Sequence, residues 1–477
     1  MKKILFIGTI ALVVGFAALA AETSPGPAAS ANETTLADQS DVAVTVYNNN
    51  RALVRDRRNI TLPSGEVSLK FMDVASSIQP ETVSIKSLND PGNLSILEQN
   101  FEFDLMSPAK LMEKYVGKEV RLVNRDNELN FTEVAAKLLS VNESPVFQIG
   151  NDIYLGHPGN VVLPEMPKEL MAQPTLVWLL QNTGSKHEVE ATYLTGDLSW
   201  KADYVASMNK EENAMNLEGW VTLNNQSGTA YQNAQLKLVA GEVNIVQPPR
   251  RPRPAAKEMV MAMAGAAPDM VEETFSEYHL YTVQRRTTLK NNQSKQVSLL
   301  SAQSIGVKKI YEYRGNESYY SGPMPPVENE KIGVFISFWN KEDNHLGMPL
   351  PAGILRVYQE DRQGMLQFAG EDQVKHTPKD EEVRLRLGNA FDVVGERKQT
   401  DYKRIADTVH QAEFEIVLRN HKETDITVDV VEPMHGDWDI LKSSIEHEKK
   451  DAYTAVFHVP VPKNGEAKLT YRVQVKY

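Results

Sequence analysis

The chain has 477 residues, 41% of them hydrophobic and 24% charged, with a formal net charge of −12 and no cysteine. That mixture is globular and long enough for more than one domain. The missing thiols exclude disulfide frameworks, thiolate metal sites, iron–sulfur clusters and cysteine nucleophiles, and the acidic balance argues against a nucleic-acid binder.

Residues 1–21 read as a secretory signal peptide: Lys2 and Lys3 precede an apolar run from Ile4 to Leu19, and Ala18 and Ala20 supply the small residues of a cleavage site. The run falls short of the ~20 residues that span a bilayer as a helix. Cleavage after Ala20 or Ala21 is therefore expected, with no transmembrane segment left and a periplasmic or extracellular mature protein; the alternative is a retained anchor. Residues 22–40, rich in Ala, Pro, Ser and Thr, read as a flexible linker.

From Asp41 the texture changes to period-two alternation (Val42, Val44, Val46, then Val67, Leu69, Phe71), the signal of half-buried strands. Residues 41–172 form the expected N-terminal β domain. Within it, Ser107-Pro108 opens a short helix that ends before Gly117. Five short strands follow within 117–164, around 119–123, 134–141, 145–149, 152–155 and 160–163. Their spacing resembles a small SH3-like or Sm-like barrel; the other reading is a meander within a larger sheet.

Residues 173–380 are expected to form a central β-sandwich region, interrupted at 248–273 by a Pro/Arg/Met/Ala segment that no strand tolerates and that reads as a mobile surface insertion. Residues 381–477 form the expected C-terminal immunoglobulin-like β-sandwich. The central and C-terminal units both carry a strand, Leu-x-Asn, a polar turn and a returning strand, which places turn starts at Asn224 and Asn420. The last strand is apolar at Leu469, Tyr471, Val473, Val475 and Tyr477. Those five should face a sandwich core beside 414–418; a row facing lipid in an outer-membrane barrel is the alternative. The fold class is thus mostly β, with multiple immunoglobulin-like sandwich modules and few short helices.

Chemistry is sparse. The ten histidines form no short ligand pair, and no Gly-x-Ser-x-Gly elbow or phosphate loop occurs. No metal or cofactor is expected. Trp200, Asp203 and Tyr204 place a carboxylate among aromatics, a composition that suits sugar binding, although Trp200 and Tyr204 also share the parity of a core-facing row. His157, in the turn Gly156-His-Pro-Gly159, completes the candidate surface. Met259, Met261 and Met263 suit a sticky partner contact better than a copper site, and Arg250, Arg251 and Arg253 beside them are too few to hold a membrane.

Several stretches together resemble an exported bacterial family catalogued as domain of unknown function 4139: Val44-Thr-Val-Tyr-Asn48, Leu97-Glu-Gln-Asn100, Glu113-Lys-Tyr-Val-Gly117, Tyr154-Leu-Gly-His-Pro-Gly159, Pro174-Thr-Leu-Val-Trp178, Leu198-Ser-Trp-Lys-Ala-Asp-Tyr204, Val221-Thr-Leu-Asn224, Leu236-Lys-Leu-Val-Ala-Gly241 and Tyr278-His-Leu-Tyr281. The resemblance covers nearly all of the chain after the signal. It implies an exported β-rich protein and carries over no catalytic or binding residue. With no catalytic set legible, a non-catalytic binding, adhesion or envelope-assembly role is expected, with a protein or envelope polymer as partner. The rival is an envelope polysaccharide hydrolase that uses dispersed carboxylates.

Overall fold

The computed structural model describes residues 32–102, 107–125, 131–156, 159–165, 167, 173–241, 243–244 and 270–477. The stretch read as a signal peptide, the first part of the stretch read as a linker, most of the 248–273 segment and His157 lie outside the described residues. Strands dominate, and Pro108–Lys114 is the one α-helix among the described residues. The strands form five sheets, none closed into a barrel.

Order begins earlier than composition suggests. Asn32–Thr34, inside the stretch read as linker, is a strand that pairs in parallel with Gly65–Phe71. The cause is distant in sequence: the buried Arg58 guanidinium donates to the Thr34 carbonyl at 3.0 Å. The end of the 248–273 segment is also ordered, since Met270–Phe275 forms a hairpin with Tyr278–Val283.

The largest core gathers residues from Val42 to Leu385. Arg51–Thr61 pairs with Lys186–Gly196, and Gln39–Tyr47 runs parallel to Tyr231–Ala240. Hydrogen-bonded pairs therefore cross the division expected at 172. A second core runs from Tyr311 to Val475. The Val327–Trp339 and Glu382–Ala406 strands enter both: Ile336, Phe338, Val383 and Leu385 belong to the first core, Ile332 and Val393 to the second. One long bulged ribbon thus joins the two bodies, and it crosses the division expected at 380.

The five strands read within 117–164 are present, as Glu119–Arg125, Phe131–Ser140, Val146–Ile149, Asp152–Leu155 and Asn160–Val162. Ser107 caps the preceding helix by accepting from the Lys110 N–H at 3.1 Å, and Gly117 takes a φ of +83°. A small separate core forms around Tyr115, Leu122, Leu138 and Phe147. The sheet is not closed into a barrel, and Asp152–Leu155 and Asn160–Val162 lie at opposite edges; Asn160–Val162 returns to pair with Glu119–Arg125, so the unit is a separate five-stranded sheet and not a meander within a larger one. Ile153 and Leu155 on one edge strand are exposed, so no second apolar layer wraps back to close the ring.

In the final strand, Gly465–Lys476, Leu469, Tyr471, Val473 and Val475 are buried, and Phe414 and Ile416 lie opposite Tyr471 and Leu469. Tyr471 stacks on the protein's own Phe414 and Phe457, so this row does not face lipid. Tyr477 departs from the pattern at 47% exposure, because it lies one residue past the strand.

Candidate functional site

The described candidates read from the sequence, Trp200, Asp203 and Tyr204, do not converge on one face. Along the central strand Leu198–Met208, Trp200 and Tyr204 point into the core. The Tyr204 hydroxyl donates to the Pro351 carbonyl at 2.7 Å, and burial pushes its pKa well above the usual phenol range. Trp200 packs against Tyr281 with ring centroids 6.4 Å apart. Asp203, an odd position between two even ones, faces the other way. It is paired with Arg356 at 3.1 Å and accepts from the Thr222 hydroxyl at 3.2 Å. Trp200 and Tyr204 therefore anchor the core, and Asp203 belongs to a polar pairing on the opposite face.

A histidine that sequence spacing does not single out sits in a buried chain of side chains. Ser87 Oγ lies 3.0 Å from His187 Nδ1, and His187 Nε2 lies 2.9 Å from Asn182 Oδ1. An amide oxygen only accepts, so Nε2 carries the proton donated to Asn182, while the Ser87 hydroxyl also lies 3.2 Å from Asn89 Oδ1. The order resembles a nucleophile–base–orienter triad. All three groups are buried, however, and the Asn182 amide donates to the Leu62, Pro63 and Gly184 carbonyls. The chain of bonds latches strands together rather than presenting a nucleophile. Positions 87, 182 and 187 are too far apart in the sequence to be linked by any motif.

Among the described residues two arginines are fully buried, with contrasting partners. Arg58 bonds Asp56 at 2.8 Å and the Thr34 and Met72 carbonyls at 3.0 and 2.9 Å, with its guanidinium 3.6 Å above the Phe71 ring. Arg397 lies 2.7 Å from Glu432, and neither side chain reaches solvent. Tyr320 donates to the other Glu432 oxygen at 2.6 Å, and Tyr313, Tyr319 and Phe414 surround the guanidinium. Yet Arg397 Nε, Nη1 and Nη2, Glu432 Oε1, Tyr313 Oη and Glu330 Oε2 make no hydrogen bond of good geometry among the described residues. Gly315 closes this cluster: a Cβ there would stand 2.2 Å from Glu432 Oε2. Glu330 and Glu432 both lie near Tyr319, but Glu432 is sealed in the core.

At the surface, two features stand out. The edge strand Leu366–Val374 exposes Leu366 and Phe368, with Met365 just before it. A polar groove of about 430 Å³ is lined by residues 308–311 and by Asp425, Ile426, Thr427, Asp429 and His458. In it, His458 bridges Asp429 at 2.7 Å and Glu448 at 3.3 Å, and the hydrogen bond to Asp429 raises its pKa. Among the described residues no cluster of three or more His, Asp or Glu side chains could hold a metal ion, and no helix is long and apolar enough to cross a membrane.

No curated protein matches the chain. A family model described as Domain of unknown function (DUF4139) matches residues 189–477. The match begins inside the Lys186–Gly196 strand and takes in both the central sheets and the second core. The stretches between Val44 and Trp178 that resemble the family lie before it. With more than half of its length matched, the chain belongs to the family of domain of unknown function 4139.

Proposed function

We propose that this protein is exported and acts outside the cytoplasm as a non-catalytic binding or envelope-assembly protein, recruiting a protein partner by strand addition. The observation that carries the reading is the Leu366–Val374 edge. This strand pairs with Gly353–Glu360 on one side and ends its sheet on the other, where Arg386 and Leu387 of the Glu382–Ala406 strand lie against Asp372 and Gly370 while Leu366–Phe368 stay exposed. Proteins usually blunt such an edge with charge, proline or a cover. Here Met365, Leu366 and Phe368 are each more than half exposed. The exposed apolar end of this edge, from Leu366 to Phe368, offers main-chain hydrogen bonds for affinity and side-chain contacts for selection. The candidate carboxylate Asp203 is held by Arg356 and Glu432 is enclosed, which supports binding over hydrolysis.

The test places a photo-crosslinking phenylalanine analogue at Phe368 in the native host, with the exposed Lys210 position as control. The expected result is an adduct with one envelope protein at 368 that is absent at 210 and lost on Leu366→Lys. Equal adducts at both positions, or none at either, overturn the reading. N-terminal sequencing of the same material should begin at Ala21 or Glu22; a start at Met1 overturns export. Turnover of envelope polysaccharide that disappears in Glu330→Gln would put a hydrolase in its place.

A further inference from the structure

The Lys308–Arg314 and Ile426–Pro433 strands form a parallel pair that is zipped for only part of its length. Bridges run from Tyr311 opposite Val428 to Arg314 opposite Val431. Continued backwards, that register would set Lys308, Lys309 and Ile310 against Asp425, Ile426 and Thr427. No pairing occurs there, and those six residues line the groove of about 430 Å³. The groove is therefore a fork in the sheet.

Both prongs are held from outside. On one, the Val307 N–H bonds the Asn213 carbonyl at 2.9 Å, and Lys309 is drawn to Glu212 at 2.6 Å. On the other, Asp425 accepts the Lys463 N–H at 2.8 Å, and Ile426 and Thr427 are engaged by the Thr454–Val461 strand. Each prong keeps a ladder on its far side, to Val327–Trp339 and to Thr454–Val461. The inner edges face each other across the gap. Lys308 and Asp425, opposite one another in register, make no ion pair with each other.

We propose that this fork is a recognition site for an extended peptide segment of a partner, in which apolar residues alternate with glutamates. Three open register positions span roughly 10 Å at about 3.3 Å per residue, and the volume lies within the ~300–1,000 Å³ of ordinary ligand sites. Half-buried Ile426 supplies the main apolar contact, beside the largely buried Ile310 and Tyr311, and inner-edge backbone groups supply the ladder. The acidic preference follows from the cations. Among the described residues neither Lys308 nor Lys422 has an ion-pair partner, and Lys422 reaches to 5.9 Å from the Tyr311 ring at the base of the fork. Asp429 is already bound to His458, and Asp425, held by the Lys463 backbone N–H, offsets one lysine, so Lys308 and Lys422 together leave one positive charge in excess. The inference deepens the binding-protein reading and rests on it, but it concerns a surface other than the Leu366–Val374 edge.

The probe is the dye-labelled peptide acetyl-Val-Glu-Val-Glu-Val-amide, followed by fluorescence anisotropy against the full mature chain, with the lysine-for-glutamate peptide as comparison. The glutamate peptide should bind at least tenfold more tightly than the lysine peptide, and Lys308→Glu should remove that preference. Because the chain has no cysteine, a Thr427→Cys variant carries a single thiol. It should bind the peptide before treatment with a bulky maleimide and not after, with an unchanged circular dichroism spectrum. Undiminished binding after labelling, no binding at millimolar protein, or equally tight binding of free glutamate overturns the proposal. A Phe368 adduct that persists alongside such a failure sinks the fork alone, whereas loss of both sinks the binding-protein reading.

Discussion

Asn225 and Asn420 make the same three-carbonyl clasp in two different sheets. Each side-chain amide donates to the carbonyl four residues on, Thr229 and Thr424, at 2.9 Å. Each also reaches two consecutive carbonyls of a neighbouring chain end, Leu289 and Lys290 for one and Val461 and Pro462 for the other. Each Oδ1 accepts from the N–H two residues on. Asn182 is a third case, also following Leu-x, and the same reasoning covers it. The turn in the central unit therefore hinges on Asn225, one residue later than the sequence reading placed it.

Removing either clasp leaves buried carbonyls without donors, each costing about 1–3 kcal/mol. Asn420→Ala and Asn225→Ala should each lower stability by about 3 kcal/mol. Asn420→Asp should be at least as damaging, since it aims a carboxylate at three carbonyl oxygens. Asn224→Ala, beside the hinge, should change stability by less than about 0.5 kcal/mol. Urea midpoints of the four variants decide this, and equal midpoints for Asn224→Ala and Asn225→Ala would refute it.

The Arg397–Glu432 pair should behave as a buried ion pair with little net stabilising effect. Arg397→Met alone strands the Glu432 carboxylate in the core and should cost about 3–5 kcal/mol. Arg397→Met with Glu432→Leu removes both charges and should recover most of that loss. Thermal unfolding of the single and double variants measures the coupling; a double variant less stable than either single one would show that the charges themselves hold the core.

The final strand offers a paired comparison. Val473 is buried opposite Ala412, whereas Gln474 bonds Gln411 on the outer face. Val473→Asp should destabilise by more than about 3 kcal/mol, combining a lost apolar side chain with a buried charge. Gln474→Asp should cost about 0.5 kcal/mol. Similar urea midpoints for the two would invalidate the assigned faces.

His458 gives a pH signature of definite sign. The hydrogen bond to Asp429, aided by that to Glu448, outweighs partial burial and raises the pKa above the usual histidine value. A group with a raised folded pKa contributes stability that is fully present below its unfolded value, near 6.5, and lost as pH rises through the folded value. Stability should therefore carry a component that falls with rising pH above about 6.5, and His458→Asn should remove it. The ring is half exposed, so the component should also shrink in high salt. An NMR titration that places His458 at or below the ordinary value would contradict this.

Local pattern was enough for much of the architecture. Alternation at Val42 to Val46 and at Leu469 to Val475 identified strands and their buried faces, because the pleat alternates side chains at every residue. Ser107, Pro108 and Gly117 marked the helix, because caps act within four residues. The five strands of the inserted unit were legible for the same reason. What local pattern could not decide is what pairs at a distance. Asn32–Thr34 is a strand because Arg58 fixes Thr34, and low-complexity composition hides that bond. Whether the five strands close depends on two edges meeting, which no single strand encodes. Ser87 with His187, and Arg397 with Glu432, come together only through sheet register. The fork beside Tyr311 lies between one prong bound to Glu212 and another bound to the backbone of Lys463. Sequence by itself determined which alternating stretches form strands and which side of each is apolar, since those are nearest-neighbour properties; tertiary structure alone decided strands such as Asn32–Thr34, which polar groups meet and which edges stay open, since these depend on contacts between strands that the chain order does not place together.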